Sequence, residues 1–289
     1  MKVLVTGGAG RVGQFTVVEL LAHGHDVILS DQRSPVSLAE VDAAVLNQAT
    51  FRQADLVDAG EAIWAMRGAE AVIHLGAIPS PRSIPDTTVF QNNVVGTFNV
   101  LQAAETLGVR RVAIASSISA YGTAWSDEPR FFWYAPVDEA HALENADSYG
   151  LSKEVNEKTA EAFHRRSGMQ IVSLRYSYVG TPSEIRTRRE TYDLDHADNA
   201  RTLWSYVDVR DVARANRMAI EASGVGCLPL IITAADTMAD EPIEALLRTH
   251  IPSLEIRSPM PGFSGAFNIS AAKASIGWEP VHSWRDPQP

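Results

Sequence analysis

The opening of the chain, Thr6-Gly7-Gly8-Ala9-Gly10-Arg11-Val12-Gly13, is a glycine-spaced turn between the apolar run Val3, Leu4, Val5 and an amphipathic helical stretch. This arrangement holds a dinucleotide pyrophosphate. Gly7 permits the tight turn, Gly10 lets the backbone approach the phosphates, and Gly13 lets the helix lie close on the strand. The free N–H groups at the helix start, around Arg11 and Val12, face the negative charge. Asp31 ends a second apolar run, Val27-Ile28-Leu29, eighteen residues after Gly13, where an acid reaches the adenosine ribose hydroxyls and repels a 2′-phosphate. The expected cofactor is therefore NAD, although Arg33, two residues on, is a guanidinium of the kind that binds the extra phosphate of NADP. The competing reading of the turn is simple structural punctuation.

With 289 residues, 45% of them hydrophobic, the chain can bury a large core without metals or disulfides. The single Cys227 excludes an internal disulfide framework and fits a reducing, cytoplasmic setting. The start carries no signal-peptide pattern and no run of eighteen apolar residues occurs, so no membrane association is expected. A net charge of −10 repels phosphate backbones, which argues against a nucleic-acid partner. The local basic cluster Arg186, Arg188, Arg189 reads as a solvated loop. The histidines show no ligand spacing, so no metal is expected, and His74 on an apolar strand reads as a packed core residue.

Short apolar runs near residues 2–6, 26–30, 51–54, 70–75, 111–115 and 170–175 alternate with helical patterns near 12–23, 59–67, 88–107 and 148–167. That alternation predicts an α/β fold with a doubly wound parallel sheet. Beyond residue 176 the pattern loosens into a polar stretch from Ser183 to Asn199, a helix near 208–222, a strand near 228–233 and a helix near 241–249. The expected organisation is a dinucleotide-binding domain over 1–176, with returns from about 203–235, and an interleaved smaller substrate lobe over 177–289.

Tyr149-Gly150-Leu151-Ser152-Lys153 places a phenol and an amine four residues apart, on one face of a helix. An ammonium beside a tyrosine favours the phenolate and lowers its pKa toward the working range. Alone, such a pair is common on helices with no catalytic meaning. Here it accompanies the strand Arg111-Val112-Ala113-Ile114-Ala115, which ends in Ser116-Ser117-Ile118-Ser119, and open α/β sheets gather their ligands at strand carboxyl ends.

With the glycine turn, the serine-rich strand end and the Tyr/Lys pair in this order, the chain resembles the extended short-chain dehydrogenase/reductases of the NAD-dependent epimerase/dehydratase family. Further motifs carry the resemblance over nearly the whole chain: Asp55-Leu56, His74-Leu75-Gly76-Ala77, Asn92-Asn93-Val94-Val95-Gly96-Thr97, Leu174-Arg175-Tyr176, Tyr206-Val207-Asp208 and Ile276-Gly277-Trp278. The last three read as structural landmarks. The resemblance implies Tyr149 as the proton-transferring group, Lys153 as its electrostatic partner and donor to the nicotinamide ribose, and Ser117 as the hydroxyl that orients the substrate. It adds Asp55, Leu56, Leu75, Gly76, Ala77, Asn92, Ser116 and Tyr176 to the cofactor set, Ser119, Ile78 and Tyr178 to the substrate set, and a homodimer as the assembly.

Departures from the pattern narrow the reaction. Ile118 and Ser119 stand where the family's dehydratases carry an acid pair, Trp204 where its UDP-sugar epimerases carry a diphosphate-clamping arginine, and Pro79 where those epimerases carry a lysine. Only 136 residues follow Lys153. These features imply a small substrate, a sugar or sugar acid, and Asn199-Ala200-Arg201-Thr202-Leu203-Trp204 resembles the uronate dehydrogenases of the superfamily. Arg201 then holds a carboxylate through paired hydrogen bonds, or else it makes a surface ion pair. The aromatic run Phe131, Phe132, Trp133, Tyr134 is either a pocket wall or an insertion's own core. The leading expectation is an NAD-dependent sugar or sugar-acid dehydrogenase; the alternatives are a nucleotide-sugar 4-epimerase using Arg186, Arg188 or Arg189 as a replacement clamp, and a non-catalytic NAD sensor.

Overall fold

The computed structural model describes residues 1–191 and 197–286. In chain order it contains strand β1 (Lys2–Thr6), helix α1 (Arg11–Ala22), β2 (Asp26–Asp31), α2 (Ala43–Leu46), β3 (Thr50–Gln53), α3 (Ala59–Met66), β4 (Ala71–His74), α4 (Asp86–Thr106) and β5 (Arg111–Ser117). There follow β6 (Tyr134–Ala135), α5 (Ser148–Ser167), β7 (Gln170–Tyr176), β8 (Tyr178–Gly180), α6 (Pro182–Thr191), β9 (Tyr206–Asp208) and α7 (Val209–Glu221). The chain ends with β10 (Cys227–Ile232), α8 (Ile243–His250), β11 (Glu255–Ile256) and α9 (Ser270–Ile276). Turns of 3₁₀ helix cover Ile118–Tyr121 and Ala197–Thr202.

Seven strands form one parallel sheet in the order β10-β7-β5-β4-β1-β2-β3. Its central strands are apolar on both faces, as a sheet covered on both sides requires. In β1, Val3 and Val5 join a core with Leu20, Leu29, Leu174, Leu230 and Trp278 beneath α1 and α7. Leu4, between them, points into the opposite core with Ile28, Met66, Leu101, Ile114 and Phe163, beneath α3, α4 and α5. The chain runs outward from β1 to β3 and returns to lay β4 on the other side of β1, with Thr6 beside His74 in register. The order therefore reverses between β1 and β4, and a crevice opens at their carboxyl ends.

Helix α5 begins and ends where the sequence pattern places it. The Asp147 carboxylate caps it by accepting the Gly150 N–H at 2.7 Å, Gly168 stops it with φ +71°, and His164, Arg165 and Arg166 in the last turn face the negative end of its dipole. A third core follows β5: Tyr121, Phe132, Trp204, Ile243, Leu247 and Phe267 pack together, joined to the sheet through Ile231. Phe132 meets the rings of Tyr121 and Phe267 edge-on, each at 5.5 Å, so Phe132, with Phe131 against it, serves this core, while Trp133 is exposed and none of the four aromatic residues lines the cavities of the crevice. The stretch from Ser183, read from sequence as a polar loop, contains α6, whose Ile185 is buried against Tyr206 and Met238.

His74 is buried and bridges three elements: Nδ1 meets the Thr6 hydroxyl at 2.7 Å and Nε2 the Thr97 hydroxyl at 3.1 Å. Burial, with the nearby Lys153 charge, pushes its pKa down to about 3, so the folded protein keeps it neutral while the unfolded chain protonates it below about 6.5. The unfolded state then binds more protons, and stability is lost as pH falls from 6.5 toward 3. Between pH 7 and pH 5 this group withdraws about 2 kcal/mol. Thermal melts across that range are expected to show the loss, and His74→Gln to flatten it; an unchanged pH slope in the variant refutes this account.

Candidate active site

Two adjoining cavities occupy the crevice. The first, of about 360 Å³, is lined by Gly7, Gly10, Gly13, Asp31, Asp55, Leu56, Gly76, Ile78 and Asn92. The second, of about 390 Å³, is lined by Ser116, Ser117, Ser119, Tyr149, Lys153, Tyr176 and Tyr178, with Trp125, Arg188 and Trp204. Arg11, Val12, Leu75, Ala77 and Pro79 line both and form a shared wall.

The first cavity owes its shape to backbone crowding. Gly7 has φ +66°, and a Cβ there would lie 2.7 Å from the Gly76 N; one on Gly13 would lie 2.3 Å from the Gly7 O. Strand β1, the β4 end and α1 thus approach as only glycine allows. A Cβ on Gly10 would meet only the Gly7 O, at 3.3 Å, which leaves that side of the turn for a ligand. Asp31 Oδ2 accepts from the Ala9 N–H at 3.1 Å and Oδ1 from the Gln32 N–H at 2.8 Å, holding the carboxylate at the rim. Arg33 is exposed and outside the lining. The Asp55 carboxylate accepts from the Val57 N–H at 3.0 Å, and Asn99 Nδ2 donates to the Leu56 O at 2.9 Å, which fixes the segment bounding the far end. The buried Arg11 Nε has no hydrogen-bond partner. A glycine cradle, a rim carboxylate and an unsatisfied guanidinium nitrogen fit a dinucleotide with its pyrophosphate at the turn.

In the second cavity, Tyr149 and Lys153 come from α5 and the serines from the end of β5. Lys153 Nζ donates to the Ala115 O at 2.8 Å and lies 5.4 Å from the centre of the Tyr149 ring. The expected lowering of the phenol pKa is not found. Burial pushes Tyr149 up to about 12, the Ser117 hydroxyl acting the other way, and pushes Lys153 down to about 8 against the pull of Glu157. Loss of water around each group is the largest cause of its shift, and the Asp147 charge adds to the rise at the phenol.

Ser117 Oγ donates to Ser119 Oγ at 3.1 Å and accepts from the Ser119 N–H at 3.0 Å, and the Trp125 indole N–H donates to Ser119 Oγ at 3.1 Å. Ser116 turns inward and donates to Glu157 Oε1 at 2.6 Å. Glu157 also accepts from Arg175 Nε at 2.9 Å and Nη2 at 2.7 Å, and Arg175 Nη1 donates to the Tyr121 hydroxyl at 3.0 Å. Tyr176 lines the second cavity, not the turn, and donates to Asn216 Oδ1 at 2.5 Å.

Two of the residues assigned from the resemblance, Ile78 and Arg201, sit elsewhere, while Asn92 lines the first cavity as a cofactor residue is expected to. Ile78, expected toward the substrate, lines the first cavity. Asn92 lines it too, but the structural asparagine is its neighbour Asn93, which accepts from the Ile78 N–H at 2.8 Å and donates to the Ile78 O at 3.0 Å and to Ser152 Oγ at 3.1 Å. Arg201 does not line either cavity: its Nη1 donates to the Ser126 O at 2.6 Å. Of the basic cluster, Arg186 is exposed, Arg189 pairs with Asp240 at 2.7 Å, and Arg188 lines the second cavity with its guanidinium 4.6 Å from the Tyr178 ring centre. Sequence reasoning missed Trp125, a lone aromatic in a loop, and Glu157, although the i, i+4, i+8 spacing of Tyr149, Lys153 and Glu157 puts all three on one helix face.

The later motifs are structural: Asp208 caps α7 through the Arg210 N–H at 2.9 Å, and the Trp278 indole donates to the Asp211 O at 2.9 Å.

The model of the NAD dependent epimerase/dehydratase family matches residues 3–226. A putative UDP-glucose 4-epimerase of Methanocaldococcus jannaschii is 32% identical over 235 residues, covering 75% of this chain and 73% of that protein. An L-arabinose 1-dehydrogenase (NAD(P)(+)) of Haloferax volcanii is 29% identical over 77% of this chain and 83% of its own length. A uronate dehydrogenase of Pseudomonas syringae pv. tomato is 31% identical over 60% of this chain, which spans 58% of that enzyme. A UDP-glucose 4-epimerase of Thermotoga maritima, solved with UDP-glucose, shares the fold at a TM-score of 0.71 and 24% identity, covering 98% of this chain and 94% of that one.

Gly10→Ala is expected to fold with a near-normal melting temperature yet bind NAD at least ~10-fold more weakly, because its methyl occupies the approach to the phosphates; unchanged affinity by fluorescence titration contradicts the cradle. Glu157→Ala strands the Arg175 guanidinium in the core and is expected to cost about 3–5 kcal/mol in denaturant unfolding.

Proposed function

The chain belongs to the NAD dependent epimerase/dehydratase family, and within it we propose an NAD-dependent dehydrogenase that oxidises a hydroxyl carbon of a sugar or sugar acid. NAD is the cofactor of the family. The observation that carries the reading is the shared wall: the cavity that fits the dinucleotide opens, across Val12, Leu75 and Ala77, onto the cavity holding Ser117, Tyr149 and Lys153. Bound there, NAD supplies a hydride acceptor and a cationic ring.

The chain's own groups supply the proton chemistry. Ser117 and Tyr149 present two hydroxyls to one space, so a substrate hydroxyl is oriented by the first and loses its proton to the second. Tyr149, with its pKa near 12, is a neutral acid at pH 7; a cation brought beside it lowers that value and makes it a base. Lys153, held on the Ala115 carbonyl, is the fixed cation at the phenol, and a change of its protonation near pH 8 changes that support. Trp125 and Ser119 fix the direction of the Ser117 hydroxyl. The half-buried indole and the buried Trp204 keep water from this space.

The second reading, a UDP-sugar 4-epimerase, draws on the Methanocaldococcus relative. It needs a diphosphate clamp, and of Arg186, Arg188 and Arg189 only Arg188 reaches the cavity. One guanidinium is a weak clamp for two phosphates, which favours the smaller substrate. The outer faces of α4 and α5 expose Phe98 and Leu151 beside Val155 and Ala162, a surface that supports assembly of two copies.

Mixing the protein with NAD and a panel of aldoses, uronates and UDP-sugars is expected to yield NADH in proportion to oxidised product; interconversion of UDP-sugars without NADH selects the epimerase instead. Tyr149→Phe is expected to retain NAD binding and lose at least ~10²-fold in turnover. With NAD saturating, the rate of oxidation rises with pH in the parent, because the phenol must be ionised to take the proton, and is flat in the variant.

A further inference from the structure

We propose that Arg201 is a positioning residue: it clasps the turn that carries Trp125, and through the Trp125 indole it sets which way the hydroxyls of Ser119 and Ser117 point. The inference deepens the dehydrogenase reading and rests on it, because it makes Ser117 the donor to the substrate oxygen.

The turn after the first 3₁₀ helix is held at both ends. Gly122 opens it at φ +86°, where a Cβ would lie 2.0 Å from the Glu144 O. Trp125 stands between Thr123 and Ser126, both buried, and each of these two is tied to Arg201. The Thr123 hydroxyl donates to the Arg201 O at 2.6 Å, and Arg201 Nη1 donates to the Ser126 O at 2.6 Å. The Arg201 side chain lines neither cavity, although Asn199 and Thr202 beside it line the second. The Arg82 guanidinium lies over the indole, 5.1 Å from its centre; it is exposed and lines neither cavity, so it covers the ring from the solvent side. Toward the site, Trp125 lines the second cavity and its N–H donates to Ser119 Oγ at 3.1 Å.

The direction of that bond decides the polarity of the serines. An indole nitrogen only donates, so Ser119 Oγ must meet it as an acceptor. Ser117 Oγ donates to Ser119 Oγ at 3.1 Å and accepts from the Ser119 N–H at 3.0 Å. Both hydroxyl hydrogens rotate about their C–O bonds. With the indole N–H on its oxygen, Ser119 can turn its own hydrogen onto Ser117, and Ser117 then turns its hydrogen onto a substrate oxygen. Trp125, Ser119 and Ser117 each donate to the next group, and no proton changes owner. This direction suits oxidation, since the substrate oxygen accepts from Ser117 while its own hydrogen goes to Tyr149. Without the indole, Ser119 Oγ is left with the Ser117 hydroxyl as its donor and holds it off the substrate.

The test uses the full chain with saturating NAD and reads NADH formed from glucose, galactose and arabinose as neutral sugars and from glucuronate and galacturonate as acids. Trp125→Phe, which keeps an aromatic ring but no donor, is expected to lose roughly 10-fold in kcat, as for one neutral hydrogen bond, with KM changed less than about 2-fold. Arg201→Met is expected to lose kcat by a similar factor in every sugar that the parent oxidises, acid or neutral. Arg201→Lys, which can still donate to the Ser126 carbonyl, should recover part of that loss. The double variant is expected to be no slower than Trp125→Phe, because both changes interrupt one chain of bonds. A second readout needs no sugar: by NMR of the NAD-bound protein with isotope-labelled indoles, the Trp125 N–H, identified by its loss in Trp125→Phe, is expected to exchange with solvent at least ~10-fold faster in Arg201→Met than in the parent. NAD affinity by fluorescence titration confirms that each variant is folded. A rise in uronate KM alone in Arg201→Met, additive losses in the double variant, an unchanged kcat in Trp125→Phe, or an unchanged indole exchange rate in Arg201→Met overturns this inference while the dehydrogenase reading stands. Absence of NADH with every sugar, or interconversion of UDP-glucose without NADH, overturns that reading and this inference with it.

Discussion

The buried carboxylate of Glu157 is the fixed point of the site. It accepts from Ser116 at the end of β5 and from two nitrogens of Arg175 on β7, and Arg175 reaches on to Tyr121 in the 3₁₀ turn. Both partners of the ion pair are almost wholly enclosed, 3% and 7% exposed, where an unmatched charge costs several kcal/mol. Sliding α5 by one residue along the sheet would break the bonds from Ser116 and Arg175 to Glu157, so the pair fixes the helix in one register. Because Tyr149 and Lys153 lie on the same face, about two turns and one turn before Glu157, that register also sets where the phenol and the amine stand.

Much of this arrangement is local and therefore readable in the sequence. The glycine turn, the apolar strands buried on both faces, and the Asp147 and Gly168 boundaries of α5 depend on neighbours within a few residues. The family resemblance rests on those same segments. What the sequence does not disclose depends on distant partners. Helix α6 buries only Ile185, too little for an apolar stripe to stand out, and its ends are held by Arg11 and Asp240 from elsewhere in the chain. Trp125 matters through one bond to Ser119, and Arg201 was misplaced because residue type does not say which way a side chain points. The sign of the Tyr149 shift turned on burial, a quantity that no spacing of tyrosine and lysine encodes.

The part of the chain beyond β7 is tied to the sheet by similar long-range contacts. Strand β10 joins the sheet edge beside β7, α7 covers one face together with α1, and the aromatic core around Phe132 and Phe267 grows from the segment after β5. The segment carrying Asn199, Thr202 and Trp204 is thus braced from two sides. Leu203 and Trp204 both adopt positive φ there, +54° and +52°, a conformation that non-glycine residues keep only where surrounding packing enforces it.

The wall of Val12, Leu75 and Ala77 has one further implication. Since each of these side chains touches both cavities, whatever displacement one ligand imposes on them is felt by the other. Thermodynamic reciprocity then requires that any tightening of substrate by coenzyme equal the tightening of coenzyme by substrate. Neither affinity can be adjusted at these positions in isolation, and drift at the partition is constrained by two occupants at once.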